Sequence, residues 1–217
     1  MSRAIALTVS GRSLVCAALA VLVAVAPARA AGRHVVVRLY DTAGIEADVR
    51  AAAMREAAAI IDDAGVAIVW HDCTSGDDAV ACGKSPENWN LIVRIVPAFI
   101  PGSPARSAVR ARDGVTDAGS PLGVAVFDPD ARADAMATIF DEQVQTVAGR
   151  ANVDRSELLG RTLAHELGHL LLRVTGHSRT GLMRAVWTDT ELEQNRPEDW
   201  IFAEADRQRL QLNLSRP

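Results

Sequence analysis

The stretch "NVDRSELLGRTLAHELGHLLL", residues 152–172, constrains this chain most, because it reads as one helix that carries titratable side chains on an otherwise apolar surface. Asp154 stands where an N-cap belongs, with Glu157 three residues on as in a capping box. Residues four apart on a helix share a face, with β-carbons about 5–6 Å apart. His165 and His169 therefore aim two imidazoles at one point, as two ligands of a single metal ion would. Glu166 lies about 100° around the helix axis from His165. That offset suits a carboxylate that holds a water beside an ion without binding the ion itself.

Two imidazoles alone hold a metal weakly, so a third ligand must come from elsewhere. The continuation "LLLRVTGH" (170–177) offers one. The helix is expected to end near Leu172, Gly176 to take a backbone conformation barred to most residues, and His177 to follow directly. Three histidines with one position left open describe a catalytic zinc site rather than a closed structural one. His34 and His71 lie in or beside strands with no motif around them and read as structural.

The rest of the chain suits a mixed α/β domain of the α+β class. "HVVVRLY" (34–40) reads as a strand, 46–65 as a helix with Gly65 just past its end, and "VAIVW" (66–70) as a second strand. Such a crossover makes the two strands parallel with the helix over one face. "NLIVRIVPAF" (90–99) reads as a central strand, "SAVRAR" (107–112) as an edge strand within an exposed loop, and "LGVAVF" (122–127) as the last strand. Residues 133–151 read as a helix spacing Ile139, Phe140, Val144 and Val147 along one side, 184–200 as largely irregular, and 202–212 as a terminal helix. The expected architecture is a twisted sheet of about four to five mostly parallel strands packed on helices, with the metal site on the long helix. One domain over 31–217 accommodates all of it, and the sequence carries no internal repeat.

Residues 1–30 read as a signal peptide. Arg3 and Arg12 give a positive start, "SLVCAALAVLVAVA" (13–26) is an apolar run, and Ala28 and Ala30 stand in the small-x-small pattern that precedes cleavage. The run is shorter than the roughly 20 residues needed to cross a bilayer, so no stable membrane insertion is expected after cleavage. "SLV" before Cys16 lacks the small residue that precedes a lipid-modified cysteine. The expected product is exported, periplasmic or secreted, and monomeric. Without Arg3, Arg12 and Arg29, 20 basic side chains face 27 acidic ones, a net charge of −7 that argues against nucleic acid as a partner. Cys73 and Cys82, the two cysteines left after cleavage, flank a short polar loop; in an oxidising compartment they are expected to pair as a disulfide.

The helix with H-E-x-x-H, the glycine turn, the third histidine and the methionine of "HSRTGLM" (177–183) together resemble the metzincin clan of zinc metallopeptidases. The pattern is similar in particular to small exported bacterial proteins with H-E-x-G-H-L-L-L, then H-S-x-x-G-x-M and a nearby tryptophan, here Trp187. The resemblance implies one catalytic zinc held by His165, His169 and His177, Glu166 as general base, and Met183 packed beneath the imidazoles as structural support beside Gly176. The implied reaction is hydrolysis of a peptide bond in a peptide or protein substrate by zinc-activated water, with the substrate added as a strand beside 107–112 or 122–127. Two departures stand out. The clan's usual spacing would put glycine at position 172 and histidine at position 175, where this chain has Leu172 and Thr175, so the helix is expected to run longer or turn differently. The tyrosine that some members use after the methionine is missing, since the only tyrosine is Tyr40.

Two other readings stay open on the sequence. One is a zinc-stabilised binding or interaction module of the same fold without catalysis. The other keeps the enzyme but replaces His177 as ligand by a later carboxylate, Glu191 or Glu198.

Overall fold

The computed structural model describes residues 34–74, 79–83, 90–99, 121–128 and 135–215. The expected leader and the expected edge strand over 107–112 lie outside these residues.

Strand β1 (His34–Asp41) buries Val35, Val37 and Leu39 completely, three alternate positions on one face. Helix α1 (Ala47–Asp63) turns Ala53, Ala57, Ile60 and Ile61 into the same core. Strand β2 (Ala67–Asp72) returns parallel to β1, with Val35 opposite Ile68 and Val37 opposite Trp70. It runs past the expected end at Trp70 because the pairing continues: His71 and Asp72 face Arg38 and Leu39, and the Cys73 N–H still donates to the Leu39 carbonyl at 2.8 Å. A short helix α2 (Ala79–Cys82) follows, and Cys73 and Cys82 form the expected disulfide, their Cα atoms 5.8 Å apart.

Strand β3 (Asn90–Val96) pairs parallel with the other edge of β1 and buries Leu91, Val93 and Ile95. It stops before Pro97, short of the expected end at 99, since proline has no N–H to give a ladder. Beyond it lie β5 (Met136–Phe140), parallel to β3, and β4 (Gly123–Val126), antiparallel to β5. The sheet order is β2-β1-β3-β5-β4, so among the described residues β4 forms one edge. The five strands are thus mostly parallel, as expected for a mixed α/β fold.

One helical expectation is corrected here. Residues 136–140, read as the start of a helix, form β5, and only α3 (Asp141–Arg150) is helical. Ile139 and Phe140 are buried in the sheet, whereas Val144 and Val147 face the core from α3. A strand enclosed on both faces is a continuous apolar run, which periodicity does not separate from buried helix.

Helix α4 (Arg155–Leu172) packs most extensively on α1 and also touches β3, β4 and β5. Every residue from Leu158 to Leu172 is buried, so this helix is enclosed all round rather than amphipathic. Burial of each of its leucines contributes about 1.5–3 kcal/mol. That gain offsets the desolvation of Arg161, His165, Glu166 and His169 on the same helix.

The segment 184–200 is more ordered than expected. Helix α5 (Asp189–Gln194) starts from a full capping box, in which the Thr188 hydroxyl accepts from the Glu191 N–H and the Glu191 carboxylate accepts from the Thr188 N–H. A 3-10 turn (Pro197–Asp199) and the terminal helix α6 (Glu204–Ser215) complete the chain.

Candidate metal centre

The N-terminus of α4 is held by Asp154, whose carboxylate accepts from the backbone N–H groups of Ser156 at 2.8 Å and Glu157 at 3.1 Å. Glu157 does not complete the box; its carboxylate bonds Arg161 and Asn195 instead. At the other end α4 stops at Leu172, as expected. The turn, however, is made by Arg173 in the left-handed region (φ 55°, ψ 47°), not by Gly176. Gly176 has an ordinary φ, and a β-carbon there would meet open space. The last carbonyls of α4, those of Leu171 and Leu172, are capped by the Asn213 side chain from α6 at 3.1 and 2.8 Å.

His165 and His169 face each other, with ring centroids 4.8 Å apart and Nε2 atoms 3.1 Å apart. Their orientation is set from behind. His165 Nδ1 bonds the Leu182 carbonyl and His169 Nδ1 bonds the Val174 carbonyl, each at 2.9 Å. A carbonyl only accepts, so each Nδ1 carries the proton and each Nε2 presents a lone pair. His177 closes the group, its ring centroid 5.4 Å from His165 and 4.9 Å from His169. One ligand atom from each of the three lies within 4.8 Å of the other two. Ligands at 2.0–2.1 Å from a tetrahedral zinc stand about 3.3 Å apart, a spacing the His165–His169 pair nearly has.

Burial makes these imidazoles good metal ligands. It pushes His165 far below the usual histidine range, an effect reinforced by the neighbouring His169, and brings His169 down to about 4. His177, half-buried, is lowered by the same cause. All three are therefore neutral at pH 7, the form that binds metal.

Glu166 is 1% exposed and its side chain lies against Gly123 at the start of the edge strand β4. Met183 packs beneath α4: a β-carbon at Gly168 would fall 2.5 Å from its Sδ. Its turn is closed by the Ser178 N–H donating to the Met183 carbonyl at 2.8 Å, and Gly181 within it has φ +73°. The Ser178 hydroxyl, next to His177, donates to Asp206 of α6 at 2.6 Å.

The two carboxylates considered as alternative ligands stand elsewhere. Glu191 is committed to Thr188 and Arg184, and Glu198 is exposed on the 3-10 turn. Among the described residues the three histidines form a cluster that could hold a metal ion, and neither His34 nor His71 belongs to it.

Sequence reasoning missed several supports of the site. Arg161, one turn before His165, is buried and stacks over Trp200 with Cζ 4.1 Å from the ring centroid. Trp200 meets Trp187 edge-on at 5.4 Å, and Trp187 meets His165 edge-on at 5.4 Å. Only the position of Arg161 four residues before His165 could have signalled this stack. Asn213, Asp206 and Gly123 act across long sequence separations and left no local signal.

No protein-family model matches this chain, and no match is found among the curated proteins.

Proposed function

We propose that the mature chain is an exported zinc metalloendopeptidase of metzincin-like fold. The observation that carries this reading is the convergence of His165, His169 and His177 on one point, with Glu166, the residue after His165, buried on the same helix. The donor set fits zinc, being three neutral imidazoles, two of them with Nδ1 fixed by backbone carbonyls. Zinc bound there would supply Lewis-acid polarisation of a carbonyl and a lowered pKa for water. Glu166 takes a proton from the attacking water at its carboxylate and passes it to the departing amine. Enclosure of Glu166 strengthens its electrostatic interactions with the reacting groups. A substrate in extended form pairs along β4, which uses one side for β5 and brings Gly123 against Glu166.

The disulfide is compatible with an oxidising compartment, and no helix among the described residues is long and apolar enough to cross a membrane. The disulfide accords with export after cleavage of residues 1–30.

One observation favours the second reading, a zinc-stabilised binding module. Tyr40 sits in β1 with its hydroxyl on the Cys82 carbonyl, so no tyrosine serves the site. Incubation of zinc-loaded residues 31–217 with unfolded proteins and cell-wall peptides separates the two. The peptidase reading expects chelator-sensitive cleavage that Glu166→Ala abolishes with zinc retained. Full zinc occupancy without cleavage of any substrate would leave the binding module.

A further inference from the structure

Gly123 opens the edge strand β4 and pairs with Ile139 of β5. Its φ lies outside the left-handed region, so the backbone there does not require glycine. The neighbour does. A β-carbon at this position would lie 2.8 Å from Cγ and 2.8 Å from Oε1 of Glu166, closer than real β-carbons come to other heavy atoms, and 3.0 Å from its Cδ. Its three nearest atoms all belong to that one side chain, which is 1% exposed. The group that must yield to a methyl at 123 is therefore the carboxylate arm, and in a close-packed interior it yields only by leaving its position.

We propose that Gly123 is a positioning residue for Glu166: its missing side chain lets the carboxylate lie against the backbone of the edge strand, one residue along α4 from the ligand His165. The consequence for catalysis rests on the peptidase reading above, whereas the contact itself does not. No ligand of the proposed ion is involved, so zinc binding is independent of residue 123.

A four-protein stability cycle on zinc-loaded residues 31–217 tests the contact: the parent, Gly123→Ala, Glu166→Ala and the double variant, each with its zinc content and thermal midpoint measured. With Glu166 present, Gly123→Ala lowers the midpoint by roughly 5 °C, as overpacking does in a protein of this size. In the Glu166→Ala background the arm beyond Cβ is gone, and the same substitution leaves the midpoint unchanged or raises it slightly. All four proteins hold zinc equally. Equal losses in both backgrounds would overturn the proposal. If Gly123→Ala does not fold, folding of the double variant supports the contact and its failure contradicts it. With a cleavable peptide, Gly123→Ala reduces kcat about tenfold or more while KM changes less than twofold. An unchanged kcat would remove the positioning role. Absence of cleavage by the parent counts against the peptidase reading, and the stability cycle still decides the contact.

Discussion

His165 and Trp187 donate to the same oxygen. Nδ1 of the histidine reaches the Leu182 carbonyl at 2.9 Å and Nε1 of the tryptophan reaches it at 3.3 Å. The Leu182 N–H in turn donates to the Ile201 carbonyl at 2.8 Å, so the acceptor is tied to the chain that leads into α6. The methionine turn thereby fixes the tautomer of a proposed ligand, and Trp187 packs edge-on against the same imidazole.

Trp187→Ala should therefore act on stability and metal together. Removing this buried ring costs about 3–5 kcal/mol. Loosening the shell behind His165 weakens zinc binding about tenfold or more. Urea unfolding and zinc competition titrations measure the two effects. Trp187→Phe keeps an aromatic ring and leaves the Leu182 carbonyl to His165, so its zinc affinity stays within a few-fold of the parent.

His177 and Glu191 respond oppositely if the three histidines are the ligands. His177→Ala lowers zinc affinity by at least the tenfold to hundredfold that loss of an outer partner causes. Glu191→Gln leaves zinc affinity unchanged and costs about 1 kcal/mol through the weakened α5 cap and the lost Arg184 pair. Isothermal titration of both variants checks this. The reverse pattern would assign the third ligand to the carboxylate.

Asp154 gives the acid limb of stability a defined component. Its carboxyl is held below the ordinary value of 3.8, first by the Ser156 hydroxyl and then by the Glu157 N–H. A depressed acid stabilises fully above its unfolded pKa and loses that contribution as pH falls through the folded one. Asp154→Ala should accordingly cost about 1 kcal/mol at pH 7. The gap from the parent then narrows below pH 3.8, where the parent's carboxylate protonates. Urea midpoints at pH 7 and pH 3 measure the narrowing.

Metal removal should be visible without any substrate. Zinc at about a thousand times its Kd stabilises the folded state by about 4 kcal/mol. Chelation then lowers the melting temperature by roughly 10 °C, and zinc restores it. A melting temperature indifferent to chelator would show that the histidine cluster holds no ion in solution.

Much of the site was legible because it is local. The spacing of His165 and His169, the Asp154 cap and the end of α4 at Leu172 all follow from helical periodicity and end signals within some twenty residues. The β1-α1-β2 opening was legible for the same reason. What failed was decided by partners distant in sequence. Residues 136–140 have the composition of a buried helix, and only pairing with β3 and β4 makes them a strand. Gly176 was expected to take the special turn conformation after the helix, yet Arg173 takes the left-handed turn, and the Val174 carbonyl that follows bonds His169. The capping box at Thr188 and Glu191 was readable in "TDTE" but sits on a helix of six residues, too short for periodicity to announce. Gly123 is an ordinary strand residue until α4 brings Glu166 against it.

X-ray absorption of zinc-loaded residues 31–217, compared with the His177→Ala variant, reads the ligands of the metal themselves. The expected result is one zinc per chain with three imidazole nitrogens at about 2.0–2.1 Å, and loss of one of them in the variant. A fully loaded protein with only two imidazoles on the metal, and a spectrum that His177→Ala leaves unaltered, would contradict it.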